Sequence, residues 1–169
     1  MPPIDATALD PVPESTLDSK HPWNIRISGV GGTGVMTASA VISTAAHLDG
    51  LAVRGTDMTG LAQKGGSVVS DLRISRSIGQ HTGTVPRGSA DLLIALDGVT
   101  GAEDASTSVL NAARTVAVLS NSATPTGQMC TDVKATRPDG VQITGALGHA
   151  AKRAIITDCL LYTSDAADE

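Results

Sequence analysis

The residues of this chain best suited to chemistry form a glycine-rich turn near its start. Gly29, Gly31 and Gly34 satisfy the pattern G-x-G-x-x-G, and Gly32 and Thr33 complete the turn. An alternating apolar pattern typical of a strand precedes it, and a run of small and apolar residues typical of a helix follows, which is the context this pattern requires. Such glycines let the backbone approach a ligand, and the helix start presents free N–H groups to an anion.

The glycine turn is compatible with two kinds of role. A bound dinucleotide would need an acidic residue near the end of the second strand to accept a ribose hydroxyl. Asp57 is the candidate for that acid, and Asp49 is the weaker alternative. The other role, which we favour, is close packing of helix on strand or contact with a phosphate, because many folds reuse this turn.

A second group of residues follows at 57–67, with the sequence DMTGLAQKGGS. A lysine beside two glycines can place an ammonium and exposed backbone N–H groups around a phosphate or carboxylate. An ordinary exposed loop lysine explains the same residues, and composition alone favours it. The candidate site residues in this group are Asp57, Thr59, Gly60, Gln63, Lys64, Gly65 and Gly66.

The elements that must position these motifs alternate between strands and helices. We predict strands over 24–28, 51–54, 67–75, 90–97, 115–119 and 141–143. Helices are predicted from Val35 to about His47, over 99–113 and from 147 to 156. This alternation predicts an α/β, Rossmann-like single domain whose mainly parallel sheet has helices on both faces.

Asp97 is one further candidate, because it ends a strand at the carboxyl edge, where open α/β sheets bind ligands. Initiation of a turn explains Asp97 equally well.

Composition excludes several function classes. The net charge is -5 and no run of basic residues exceeds two, so we expect neither nucleic acid nor an anionic membrane as partner. No apolar stretch approaches the roughly 20 residues of a membrane span. Two cysteines cannot build a four-thiolate cluster, and the histidines lack the spacing of metal ligands, so no metal site is expected. The expected location is cytoplasmic.

The two ends of the chain differ in composition from the rest. Residues 1–22 hold five of the 8 prolines and are predicted to be a disordered linker. Residues 159–169, CLLYTSDAADE, resemble the in-frame translation of a sequencing adapter, so we interpret them as a non-native tail. The domain is then expected over 23–158, incomplete at its C-terminus.

Three motifs together resemble the gamma domain of the 2-oxoacid:ferredoxin oxidoreductases, most closely the fused indolepyruvate type. They are GVGGTGV, TAAHLDG and DMTGLAQKGGSVVSDLRI. The lead-in PWNI and the later NSATPTG also fit that subgroup. The resemblance covers about residues 22–150, and its TGLAQKGG element is the specific part.

This resemblance implies thiamine-dependent oxidative decarboxylation of a 2-oxoacid, of indolepyruvate or aryl-pyruvate type, in the cytoplasm. Thiamine diphosphate, iron–sulfur clusters and coenzyme A would serve the complete enzyme, held by alpha, beta and ferredoxin-like modules, with ferredoxin as the electron acceptor. This chain would bind no cofactor firmly and would help to shape the active site, and no catalytic residue is assignable in it. The fragment alone is expected to be inactive.

Two other classes remain open on the residues alone. One is a free-standing NAD(P)- or FAD-binding Rossmann oxidoreductase, which needs a dinucleotide on the glycine turn. The other is a non-catalytic assembly domain, in which altering the turn would disrupt assembly and leave active sites intact.

Overall fold

The computed structural model describes residues 21–60, 66–77, 82–122, 147 and 149–157. Within them lie six strands and three helices. In chain order they are β1 (Trp23–Val30), α1 (Val35–Leu48), β2 (Ala52–Thr59), β3 (Ser67–Ser75), β4 (Leu92–Ala95), α2 (Gly98–Ala102), α3 (Asp104–Thr107), β5 (Val116–Ser120) and β6 (Arg153–Thr157).

The six strands form one sheet in the order β2-β3-β1-β4-β5-β6. Strands β1, β4, β5 and β6 pair in parallel. On the other side of β1, strand β3 is antiparallel to both β1 and β2. The sheet is therefore mixed and mainly parallel, which confirms the predicted Rossmann-like α/β class and adds an antiparallel β2–β3 pair that the prediction lacked.

Successive side chains of β1 point to opposite faces of the sheet, and each face carries its own apolar cluster. Ile25 and Ile27 lie on the face that α1 covers, in an apolar cluster with Val35 and Leu72. The opposite face carries Leu93, Ala95, Ala117, Leu119 and Leu147 in a second cluster, and α2 packs over it. Helices therefore cover both faces, as predicted, and the small side chains allow them to lie close to the sheet.

A buried ion pair occupies the centre of the second face. Arg26 of β1 and Asp71 of β3 are directly opposite in the antiparallel register. Arg26 Nε lies 2.6 Å from Asp71 Oδ1 and Nη2 lies 2.7 Å from Oδ2, with 6% and 0% of the two side chains exposed. Arg26 Nη1 also donates to the Ala105 carbonyl, and Asp71 Oδ2 accepts from the Val85 N–H at 2.8 Å. One pair therefore joins two strands to α3 and to the segment before β4.

Two predicted helices are wrong. The stretch 99–113 forms only the short helices α2 and α3, followed by turns. Asp97 caps the first of them and Glu103, in extended conformation, separates the two. The stretch 147–156 contains strand β6, because the β-branched Ile155 and Ile156 pair with β5 in a parallel ladder. The alanines before them suit a helix but do not decide the conformation.

The other predicted elements compare as follows. Helix α1 and strand β3 agree with the prediction, β4 lies within its predicted range, and β5 begins and ends one residue later than predicted. Strand β2 begins one residue later than predicted and continues to Thr59, because it pairs with β3 along its whole length. The predicted strand at 141–143, most of the predicted linker and the proposed tail lie outside the described residues.

We predict that Asp71→Asn destabilises the chain by about 3–5 kcal/mol, because it leaves the buried Arg26 guanidinium without its counter-charge. The measurement is urea unfolding followed by circular dichroism. The matched control is Asp104→Asn, which removes an ion pair to Arg87 whose side chains are 88% and 79% exposed, and it should cost less than about 0.5 kcal/mol. Equal losses for the two variants would contradict a central role for the buried pair.

Candidate functional site

The glycine turn lies at the end of β1, next to β4, and the helices that follow these two strands pack on opposite faces of the sheet. Strands β1 and β4 are parallel neighbours. Helix α1, which follows β1, covers one face, whereas α2, which follows β4, covers the other. Open α/β sheets bind ligands outside the carboxyl ends of the strands at such a switch point. The fold therefore places the predicted glycine turn in a crevice position.

The glycines of the turn have different physical roles. Gly32 and Gly34 have φ values of 95° and 90°, in the left-handed region that L residues with a side chain avoid. A Cβ on Gly29 would lie 2.4 Å from Thr33 Oγ1 and 2.9 Å from Val35 Cγ2, so Gly29 allows α1 to lie close to β1. A side chain at Gly29 would therefore push α1 away from β1.

The start of α1 is open at this turn. Gly34 is its N-cap residue and supplies no side-chain hydrogen bond. The first N–H groups of a helix have no partner within the helix, and the helix dipole favours an anion there. The first turn of α1 also contains no acidic residue that would repel one. This end of the helix is suited to contact with a phosphate or carboxylate.

The glycine turn and the second candidate group meet at the same edge of the sheet. The Gly31 N–H donates to the Gly66 carbonyl at 3.0 Å, and the Gly60 N–H donates to the Ser67 carbonyl at 3.0 Å. The antiparallel register of β3 with both β1 and β2 brings these residues together. The predicted Gln63, Lys64 and Gly65 lie outside the described residues. Gly66 lies beside the turn, and Gly60 lies beside Gly66 and Ser67.

Asp57 lies on an edge strand, and its carboxylate accepts a hydrogen bond from a serine. Ser70 Oγ is 2.5 Å from Asp57 Oδ1 and 2.8 Å from Ser39 Oγ of α1. A carboxylate only accepts, so Ser70 gives its hydrogen to Asp57 and Ser39 donates to Ser70. This chain of hydrogen bonds ties α1 to β3 and β2. Sequence reasoning missed both serines, since isolated serines in a helix and a strand carry no motif.

The position of Asp57 differs from that of the acid in a dinucleotide site. Such an acid ends the strand that neighbours the glycine-turn strand. Here β3 lies between β1 and β2, which moves Asp57 about one more strand spacing, roughly 4.8 Å, away from the turn. Both the hydrogen bond to Ser70 and this displacement argue against a ribose contact.

The Asp97 side chain accepts hydrogen bonds from the backbone at the start of α2. Its Oδ1 accepts from the Val99 N–H at 2.9 Å and from the Thr100 N–H at 3.2 Å, which caps α2. The side chain is fully buried. These contacts support the turn-initiation interpretation, although Asp97 does lie at the carboxyl edge next to the glycine turn, where the Leu96 N–H donates to the Ser28 carbonyl at 2.8 Å.

Other kinds of site find no support in the described part of the chain. No group of three His, Cys, Asp or Glu residues there could hold a metal ion. Among the described residues, the buried Ser28 Oγ directly before the glycine turn has no hydrogen-bond partner. None of the helices in these residues has the length and hydropathy of a membrane span.

Residues 24–162 match the pyruvate ferredoxin/flavodoxin oxidoreductase family, and the chain belongs to it. The match confirms the resemblance predicted from the GVGGTGV and TGLAQKGG motifs.

Two similar proteins are subunits of indolepyruvate oxidoreductases. Indolepyruvate oxidoreductase subunit IorB of Methanothermobacter thermautotrophicus is 37% identical over 75 residues, which are 44% of this chain and 37% of that protein. The subunit IorB of Archaeoglobus fulgidus is 42% identical over 74 residues, 44% of this chain and 35% of that protein. The chain thus matches little more than a third of the length of these relatives.

Solved structures share the fold. Pyruvate oxidoreductase subunit PORC from Thermotoga maritima superposes with a TM-score of 0.60 at 17% identity, covering 86% of this chain and 66% of that one. The 2-oxoglutarate:ferredoxin oxidoreductase from Magnetococcus marinus gives a TM-score of 0.54 at 16% identity, covering 87% of this chain and 21% of that one. At these identities the likeness establishes the architecture alone.

We predict that Gly29→Ala destabilises the chain by about 1–3 kcal/mol, because the new methyl group forces Thr33 and Val35 apart from β1. Gly31→Ala is the matched control in the same turn. A Cβ at Gly31 would come no closer than 3.8 Å to the Gly66 carbonyl, so its cost should stay within about 0.5 kcal/mol. Urea unfolding of both variants checks the difference, and a larger loss for Gly31→Ala would refute the packing role of Gly29.

Proposed function

We propose that this chain is the gamma-type domain of an indolepyruvate:ferredoxin oxidoreductase and works as part of a larger enzyme. In that enzyme an aryl-pyruvate is decarboxylated oxidatively to an acyl-coenzyme A, and electrons pass to ferredoxin. The observation that carries the proposal is the family match over residues 24–162, together with the IorB relatives at 37% and 42% identity. The TGLAQKGG element supports the same assignment.

The role of this chain would be to form one wall of the active-site region. The surface proposed for this contact consists of the glycine turn (29–34), Gly66 beside it, and Gly60 beside Gly66. It combines exposed backbone with the open N-terminus of α1, whose N–H groups suit a carboxylate or phosphate. Such a surface binds and orients an anionic group, and it contains no residue to which we assign a proton transfer.

The cofactors of the reaction belong, in this proposal, to partner modules. The chain has only 2 cysteines, whereas an iron–sulfur cluster takes four thiolate ligands. The residues of this chain therefore do not fit a cluster, and the same division of labour places thiamine diphosphate in the alpha and beta modules. Ferredoxin would meet the cluster-bearing modules.

The proposal is tested by reconstitution. The purified chain should show no indolepyruvate-dependent reduction of methyl viologen when supplied with thiamine diphosphate and coenzyme A. Adding it to the remaining thiamine-binding and iron–sulfur modules, prepared without the gamma domain, should raise their rate at least about tenfold, as expected when binding groups become correctly positioned. Reduction by the chain alone, or no stimulation of the other modules, would refute the assignment.

A separate titration tests the free-standing dinucleotide enzyme. Because β3 separates Asp57 from the glycine turn, we expect no binding of NADH, NADPH or FAD at ligand concentrations up to about 1 mM, equivalent to about −4 kcal/mol. Fluorescence of the nicotinamide or flavin reports binding directly. Micromolar affinity for any of the three would favour the dinucleotide enzyme over an accessory domain.

A further inference from the structure

A groove lies at the end of the sheet opposite the glycine turn. It has a volume of about 630 Å³ and is lined by His47, Gly50, Leu51, Ala52, Val53, Arg54 and Arg76. The apolar part of the lining comes from the beginning of β2, which is an edge strand of the described sheet. The polar part consists of basic side chains. Neither the glycine turn nor its neighbours contribute to this groove.

Arg54 carries a positive charge in the lining of the groove, next to a second arginine. Arg54 is directly opposite Arg73 in the β2–β3 register, and like charges in that position repel. Arg73 donates to two neutral acceptors, Asn24 Oδ1 at 2.9 Å and the Thr82 carbonyl at 3.3 Å. Three other arginines are paired with carboxylates: Arg26 with Asp71, Arg87 with Asp104 and Arg114 with Asp91. Arg54 has no such partner in the described part of the chain, so an anionic ligand would relieve the repulsion.

The residues that precede β1 enter the sheet at the same end as the groove. Trp23 is opposite Ile74, and Ala52 is opposite Ser75. The groove along β2 is therefore two strand spacings, about 10 Å, from Trp23. Five extended residues span about 16 Å, so a side chain as close to Trp23 as Asp18 can reach Arg54.

The segment before β1 has the composition that complements the groove. Residues 1–20 contain the acids Asp5, Asp10, Glu14 and Asp18 against the single Lys20. Apolar side chains are interspersed with these acids: Ile4, Leu9, Val12 and Leu17. Pro11 and Pro13 disfavour strand pairing and favour an extended polyproline conformation, which binds grooves without donating a hydrogen-bond ladder.

We propose that residues 5–18 of this chain dock in the groove, with their carboxylates on the Arg54 side and their apolar side chains on Leu51 and Val53. Docking would place carboxylates beside Arg54 and cover the outer edge of β2 in the described sheet, and such an edge is a site for pairing with another chain. This inference is independent of the proposed enzymatic role, since it rests on the opposite end of the sheet.

Carbodiimide cross-linking of the full chain tests the docking. Arg54→Lys keeps the positive charge and introduces an amine that a zero-length cross-linker can join to a nearby carboxylate. We expect mass spectrometry to find an intramolecular amide between position 54 and Glu14 or Asp18. Its yield should fall at least about threefold between about 0.1 M and about 1 M salt, where the Debye length shortens from about 10 Å to about 3 Å.

Two controls make the result decisive. Lys152, exposed just before β6 at the other side of the described sheet, should not cross-link to residues 5–18. Changing Asp10, Glu14 and Asp18 to their amides should abolish the cross-link at position 54, whereas changing Asp165, Asp168 and Glu169 to theirs should leave it unaltered. A cross-link that forms only between two molecules, or one that joins position 54 to carboxylates outside residues 5–18, would overturn the proposal in favour of a second copy or another acidic ligand.

Discussion

The Arg26–Asp71 ion pair is the interaction on which the rest of the structure depends. Removing two charges from water costs several kcal/mol for each ion, and this cost is offset only when the geometry is close to ideal and the remaining hydrogen-bonding atoms have partners. Here the guanidinium and carboxylate meet through two bonds, and each also bonds a backbone group of another segment. The pair therefore sets the register of β1 on β3 and fixes the two covering segments at once.

Strand β1 is the junction between two halves of the sheet. On one side lie the antiparallel strands β2 and β3, and on the other the parallel strands β4, β5 and β6. Because the ion pair holds β3 against β1, the connection between β2 and β3 ends beside the glycine turn, where Gly31 and Gly66 share a hydrogen bond. A one-residue slip of β3 would exchange its two faces, place Ser70 or Leu72 opposite Arg26 instead of Asp71, and break the hydrogen bond between Gly31 and Gly66.

This arrangement gives the glycine turn a different neighbour from the one it has in dinucleotide-binding folds. The inserted β3 displaces the strand that carries Asp57, and Ser70, itself hydrogen-bonded to Ser39, donates to the carboxylate. What remains at the switch point is exposed backbone and the open start of α1. In the proposed function this surface would contact partner modules, and the relatives IorB are named as subunits of an oxidoreductase.

The two ends of the sheet also differ in charge. The carboxyl edge of the parallel strands offers backbone N–H groups, whereas the opposite end carries Arg54 and Arg73 side by side. Both attract anions, but by different means: a helix dipole acts within one turn of the helix, while guanidinium groups act over a Debye length. Ligands at the two ends would accordingly differ in their dependence on salt.

The amino-acid sequence by itself determined the local features. The glycine turn, α1, β3 and the buried strands β4 and β5 follow from periodicity and turn residues, which act over a few neighbouring positions. The motifs also identified the family. Only the tertiary structure decided that β3 lies antiparallel beside β1, that Arg26 is buried against Asp71 instead of facing solvent, and that 153–157 is a strand. Those outcomes depend on which distant residues become neighbours, and strand pairing over long sequence separations leaves no signature within any single segment.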